Sequence, residues 1–228
     1  TVNFAMDIPP ASEPDVAPPA APAMFNGREL FTQKPNWASL PDVTYVSERE
    51  AIDYDRGVTA IFTPIAFVTQ TRKLTFTSRD YAGMKLLTDL FERMKGQRGE
   101  FYMPTWEADI TVGKSNPVGS RTIRINGTQF ASDYLDDTVH KAVAVYFNDG
   151  SVIYQTVESI FEVNDADGND SVIQVGADWT KVVSPATVKS ISWLLAYRFA
   201  TDTLTVEWLT NTVAQCEMTM RSLEDLPV

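Results

Sequence analysis

Glu107 and Asp109, beside Trp106, are the residues of this chain whose types and spacing suit acid–base chemistry. Glycoside hydrolases use two carboxyl groups, one to protonate the leaving oxygen and the other to attack the sugar or activate water. Neighbouring carboxylates are also common in exposed loops that do no chemistry. We therefore predict that the chain is not an enzyme, and keep a glycan hydrolase that uses this pair as the third of three functional hypotheses.

The other reactive residue types have no partners at a useful spacing. His140 is the single histidine, and no cysteine, second histidine or serine is spaced to complete a zinc site or a catalytic triad with it. Cys216 is the single cysteine, which excludes an internal disulfide and fits assembly in a reducing compartment. It falls within the predicted strand Ala214–Met220, which favours a buried, inert thiol. The sequence therefore predicts neither a cofactor nor a metal.

The acidic loop from Asn164 to Asp170 is the other candidate metal site. An EF-hand loop needs oxygen ligands at alternate positions, glycine at the sixth position and glutamate at the twelfth. Counting from Asp165, glycine falls at the fourth position and the twelfth residue is Gly176. This spacing favours a solvated turn over a calcium site.

The element that organises the chain is a strand, a helix and a return strand over residues 73–106. The helix is predicted over residues 80–95, because Ser78 or Asp80 can cap its first N–H groups and Gly96 can end it. Large apolar residues recur through it at spacings of three and four, which places an apolar stripe on one face. We predict that this stripe is buried against a sheet. Its core residues are Leu87, Leu90, Phe91 and Met94.

Alternating apolar and polar residues on both sides of this unit predict a mainly β fold with one flanking helix. The main sheet takes residues 41–110 and 187–228, and it is the part to which the β-sandwich implied by the resemblance described below applies. Residues 111–186 are predicted to be an inserted small β domain of three hairpins, because turn sequences lie between successive apolar runs. Those turns are Asn126–Gly127, Asn148–Gly150 and Asn164–Asp170.

Residues 1–40 are interpreted as an extended arm rich in proline and alanine. Proline fixes φ and has no N–H donor, so the segment is predicted to be polyproline-like and to stay outside internal sheets. We expect residues 1 to about 35 to cross onto a neighbouring subunit or an adjacent protein. Phe4, Met6 and Phe25 would be the apolar anchors of this assembly arm.

The formal net charge of −11 argues against a surface that grips phosphates. It suits a passage through which nucleic acid slides without binding. No run of about eighteen apolar residues encodes a transmembrane helix, and the N-terminus lacks the basic-then-apolar order of a signal peptide. We therefore expect assembly in the cytosol without membrane insertion.

Several stretches together carry a resemblance to a known family. Arg72–Phe76 leads into a helix that ends at Leu90–Arg93, and Gly96–Glu107 follows as a glycine-rich turn and an aromatic return strand. Arg198–Leu204 is similar to the closing hairpin of the same arrangement. Over about half of its length, the chain resembles the distal tail proteins and minor tail proteins of long-tailed, siphovirus-like phages and of gene-transfer agents.

The resemblance implies a tail-tube-like antiparallel β-sandwich and a structural role in the virion tail. A member would form a hexameric ring that joins the tail tube protein to the baseplate hub and receptor-binding parts, beside the tape-measure protein. DNA would pass through without specific binding, and assembly would take place in the cytoplasm of the bacterial host. The alternative hypothesis is a carbohydrate-binding adhesin module of the tail tip, with Trp179 or Tyr154 as a platform for sugars.

Overall fold

The computed structural model describes residues 21–38, 41–47, 50–53, 59–62, 68–135, 137–165 and 168–225. Strands make up 48% and helices 13%, so the predicted mainly β class with few helices is confirmed. The strands are β1 (Met24–Phe25), β2 (Arg28–Leu30), β3 (Asp42–Val46), β4 (Glu50–Asp53), β5 (Thr59–Phe62), β6 (Thr69–Ser78), β7 (Phe101–Pro104), β8 (Thr122–Asn126), β9 (Ala142–Phe147), β10 (Val152–Asp165), β11 (Gly168–Val175), β12 (Val188–Phe199), β13 (Thr205–Trp208) and β14 (Ala214–Ser222). The helices are α1 (Tyr81–Met94), a 3-10 turn at Gly96–Arg98 and α2 (Gln129–Tyr134).

Strand β12 lies at the centre of a twelve-stranded sheet. β7 pairs with one of its edges, while β9 and β14 share the other: β9 pairs along Val188–Trp193 and β14 along Tyr197–Phe199. From there β14 continues to β6 and β3, and β9 continues to β10, β11 and β8. Because β9 and β14 diverge from one edge of β12, the sheet splits there into two branches.

One hydrophobic core runs through both branches. It contains Leu74 and Phe76 of β6 as well as Ile123 of β8 and Ile173 of β11. The ends of residues 111–186 lie side by side, since Asn116 and Val183 exchange backbone hydrogen bonds of 2.8 and 3.0 Å. This region therefore leaves and rejoins the chain at one place, yet its strand β9 pairs directly with β12.

Helix α1 begins at the predicted cap, Asp80, and its C-cap is Lys95, one residue before the predicted Gly96. The Asp80 side chain accepts a 2.7 Å hydrogen bond from the Gly83 N–H, and Lys95 takes the left-handed conformation with φ of 52° at the C-cap. Of the predicted stripe, Leu87, Leu90 and Met94 are buried, together with Met84. Phe91 is half-buried, with its ring centre 5.0 Å from that of Phe199. The helix covers β6 and β14 with this face.

The last part of the predicted arm belongs to the chain's own sheet, which corrects the boundary at residue 40. β1 and β2 form a hairpin, turned by Asn26 and Gly27 with φ of 45° and 76°, and β2 pairs with β7. Phe25 packs on Tyr102 of the same chain at 5.3 Å between ring centres, so its own chain covers part of the ring. Phe4 and Met6 lie outside the described residues.

The β2–β7 pair is a parallel exception within the expected antiparallel fold. Glu29 pairs with Phe101 and Leu30 with Tyr102 in parallel register. Parallel neighbours require a long crossover between them. Residues 31–100, which include α1, provide that crossover, and a hairpin-based interpretation of the sequence does not detect it.

Two of the three predicted hairpins are present, and one is wrong. β9 pairs with β10 around Asn148–Gly150, and β10 pairs with β11. Beyond Asn126–Gly127, however, the chain forms the short helix α2 instead of a returning strand. The Ser171 hydroxyl fixes this turn, because it donates to the Gly127 carbonyl and accepts from the Ala131 N–H.

A buried ionic cluster ties the C-terminal segment to β2 and β7. The Tyr102 hydroxyl lies 2.7 and 2.8 Å from the two carboxylate oxygens of Asp225, and Arg28 Nη1 lies 2.6 Å from one of them. Burial, with the hydrogen bond and charge of Asp225, raises the pKa of Tyr102 to about 12. No helix in the described part of the chain is long and apolar enough to cross a membrane.

Candidate interaction surface

Glu107 and Asp109, the carboxylates of the less favoured hydrolase hypothesis, contact the chain's own groups. The Asp109 carboxylate accepts hydrogen bonds from the Thr105 hydroxyl and, at 2.8 Å, from the backbone N–H of Trp193. Glu107 pairs with the buried Arg72 at 3.2 Å. These contacts fasten the segment after β7 against β12. In this geometry Asp109 accepts two hydrogen bonds and Glu107 forms an ion pair, and these contacts stabilise the fold.

His140 has a partner that the sequence analysis missed. Its Nδ1 lies 2.6 Å from Asp137 Oδ2, and Asp137 Oδ1 accepts from the backbone N–H groups of Val139 and His140. Burial alone would raise the pKa of Asp137, but hydrogen bonds and charge from His140 outweigh it and lower that pKa to about 2. The ring of His140 packs between Tyr134 and Trp193. The spacing of three residues between Asp137 and His140 is the sequence signal that could have predicted this pair.

The acidic loop residues pair with cations instead of gathering around a metal. Asp170 is buried and pairs with Lys114 at 2.5 Å and with Arg124 at 3.6 Å, and Arg124 also contacts Asp165. Within the described ranges no group of three or more His, Cys, Asp or Glu residues is placed to hold a metal ion.

The predicted sugar platforms and the cysteine are not exposed sites. Trp179 is only 1% exposed, and its indole N–H donates to the Thr122 carbonyl at 3.0 Å. Tyr154 is half-buried and packs against Phe25. Cys216 is buried as predicted, and this burial raises the pKa of its thiol to about 11. Such a thiol is a poor nucleophile at neutral pH.

The β4–β5 hairpin, in which Glu50–Asp53 pairs with Thr59–Phe62, is the first feature that exposes apolar side chains. It lies between β3 and β6, which pair with each other, and it forms a separate two-stranded sheet among the described residues. Ile52 is 42% and Ile61 68% exposed. A two-stranded hairpin is marginally stable in water by itself. Its apolar side chains therefore suit burial against another molecule.

The second outward feature is a cleft of about 740 Å³ where β9 and β14 diverge, which we call the split cleft. Tyr45, Val68 and Leu135 line it and are 67%, 51% and 64% exposed. Exposed apolar side chains that are grouped in this way are typical of an interaction site. The same cleft carries three carboxylates, and no lysine or arginine is among its described lining residues. The carboxylates belong to Asp133, Asp137 and Glu224.

Sequence reasoning missed the split cleft because its lining comes from separate stretches of the chain. β3, the start of β6, the segment after α2 and the C-terminal segment meet only in the folded protein. No family model matches the chain, and no curated protein shows a significant match to it. The two outward features are therefore the main structural guide to function.

Proposed function

We propose that this protein is a structural, ring-forming component of a phage tail tip, which joins the tail tube to the baseplate hub. The observation that carries the proposal is the β4–β5 hairpin with its exposed Ile52 and Ile61. Because Ile52 pairs with Ala60 and Ile61 pairs with Ala51, the two isoleucines lie on opposite faces of the hairpin, and each exposed face needs a surface that buries it. Assembly with further copies provides such a surface.

The fold and the charge support the same proposal. A mainly β chain with one long helix on its sheet accords with the tail-protein resemblance of Arg72–Glu107. The net charge of −11 fits a ring whose passage lets DNA through without adhesion. We expect much of this acidic charge to face the passage, and a basic passage in an assembled ring would contradict that expectation.

The carbohydrate-binding alternative receives less support. Trp179 has no exposed ring face for a sugar, and Tyr154 is partly covered by Phe25. Glycan binding by the purified chain would restore that alternative. A glycan hydrolase would require turnover that is lost in Glu107→Gln.

The proposal is tested by removing the apolar side chains of the hairpin. We expect Ile52→Ser combined with Ile61→Ser to abolish assembly, measured by sedimentation velocity, because the variant loses the exposed apolar side chain on each face of the hairpin. Val118→Ser is a matched control, since Val118 is 58% exposed in a turn outside the hairpin. Normal assembly of the double variant would contradict the proposed role of the hairpin.

A further inference from the structure

The sequence contains two asparagine–glycine pairs, and both lie at turns on the surface. Asn26–Gly27 turns β1 into β2, and Asn126–Gly127 follows the ladder of β8. All four residues are exposed. Because glycine has no side chain, the backbone nitrogen that follows each asparagine can approach the side-chain amide closely. Both pairs are therefore candidates for a reaction between that nitrogen and the amide carbon.

The backbone contacts of the two glycines differ. The Gly127 N–H donates to the Asn169 carbonyl at 3.1 Å, and the Gly127 carbonyl accepts from the Ser171 hydroxyl at 2.6 Å. The asparagine before it packs so closely on Gly113 that a Cβ at that glycine would overlap it. In the described part of the chain, by contrast, no group accepts from the Gly27 N–H. The first pair thus has a free backbone nitrogen, and the second has a bonded one.

We propose that Asn26 is a site of spontaneous deamidation, and that the fold protects Asn126 from the same reaction. The Gly27 nitrogen loses its proton to base and attacks Cγ of Asn26, so that an N–Cγ bond forms and the Cγ–Nδ2 bond breaks. The departing nitrogen takes a proton from water and leaves as ammonia. Water then opens the succinimide ring at one of its two carbonyls, which gives aspartate or isoaspartate.

Hydrogen bonding explains why the two asparagines differ in reactivity. The attacking nitrogen must give up its proton and turn toward the side chain, so a hydrogen bond that it donates has to break first. Loss of one typical hydrogen bond slows such a step about fivefold. Space does not distinguish the sites, because no heavy atom lies within 4 Å of the position of an added Cβ at Gly27 or at Gly127.

Deamidation at Asn26 changes the hairpin that begins the described sheet. Its Nδ2 donates to Thr156 Oγ1 at 3.0 Å, which ties the turn to β10. Isoaspartate places an additional methylene group in the backbone of a two-residue turn, and the length of that turn sets the pairing of Phe25 with Arg28. Both products also add a negative charge to a chain of net charge −11. The reaction therefore loosens β1 and β2.

Peptide mapping by mass spectrometry, with chromatography that separates aspartate from isoaspartate, tests the proposal. The full chain is kept in mildly alkaline buffer, with and without guanidinium chloride, and amide loss at both asparagines is followed over time. In the denaturant the native contacts are absent, so the ratio of the two rates reflects neighbouring residues alone. In native buffer the ratio of the rate at Asn26 to that at Asn126 should be about fivefold higher or more. A native ratio no greater than the denatured ratio overturns the proposal.

Hydrogen exchange measures the structural consequence. Amides of β1 and β2 should exchange faster in the aged chain than in the fresh one. Asn26→Gln is expected to exchange equally before and after ageing, because the longer side chain closes its ring far more slowly. Asn126→Gln is the matched control and should age like the original chain. Unchanged exchange in an original chain that has formed isoaspartate at Asn26 would contradict the loosening of the hairpin.

Discussion

The two segments that flank β6 use their apolar side chains in opposite ways. The segment after β6 forms α1 and buries Leu87 and Leu90 against the chain's own sheet. The segment before β6 forms the β4–β5 hairpin and leaves Ile52 and Ile61 exposed. Apolar residues on one side of this strand therefore stabilise the single chain, and those on the other side are exposed and, in the proposed assembly, contact another copy.

The largest expected effect on the free energy of unfolding comes from Leu87, on the buried face of α1. Leu87→Ala should lower the free energy of unfolding by about 3 kcal/mol, because it leaves a cavity at a fully buried position. Leu86→Ala is the adjacent control on the exposed face and should change stability by about 0.5 kcal/mol or less. Denaturant unfolding of both variants measures the difference. Equal costs would mean that the helix does not bury its stripe as described.

Phe91→Ala sharpens the same test. A fully buried phenylalanine would cost about 3–5 kcal/mol on truncation to alanine. Because Phe91 is half-buried against Phe199, its loss should cost less than that range. A cost at the top of the range would show that the ring is more enclosed than its exposure indicates.

The next effect on the free energy of unfolding is expected from the hydroxyl of Tyr102, which is also buried in the chain's own fold. The native state holds this proton to a pKa of about 12, while the unfolded state releases it near 10. Between these values the unfolded chain binds fewer protons, so stability falls as pH rises, by about 3 kcal/mol in total. Tyr102→Phe removes the titrating group.

Unfolding titrations from pH 9 to 12 measure this contribution. The original chain should lose more stability over the range than Tyr102→Phe does, while other tyrosines titrate in both proteins. Identical pH profiles would contradict the raised pKa of Tyr102.

The smallest expected effect on stability comes from the exposed isoleucines of the β4–β5 hairpin. Ile52→Ser with Ile61→Ser should leave the free energy of unfolding within about 0.5 kcal/mol per residue, because neither side chain contributes to the buried core. Thermal unfolding measured at a concentration where the original chain is unassembled gives the comparison. A loss as large as that of Leu87→Ala would place these residues in the chain's own core.

Local patterns predicted the features that depend on neighbouring residues. The capping residue Asp80 and the stripe of Leu87 and Leu90 specify α1, since a helix is organised by contacts within a few residues. The same logic located β9, β10 and β11. It failed after Asn126–Gly127, where Ser171, distant in sequence, fixes the turn and α2 follows. A strong hairpin sequence was overridden by a tertiary contact.

The interaction surface was less predictable because it is assembled from distant segments. Nothing near Tyr45 in sequence indicates that Leu135 lies beside the same cleft. The carboxylates Glu107 and Asp109 did suggest chemistry, yet their hydrogen bonds to Arg72 and Trp193 depend on the fold. Site geometry of this kind follows from topology, which local sequence patterns do not encode.

The mass of the assembled protein in solution tests the central claim most directly. Each chain has a mass of 25.4 kDa, so a hexameric ring would have about six times that mass. We expect sedimentation velocity over rising concentration to show a single closed species of that size, with a central opening in electron micrographs. A chain that stays monomeric at every concentration would contradict the proposed ring.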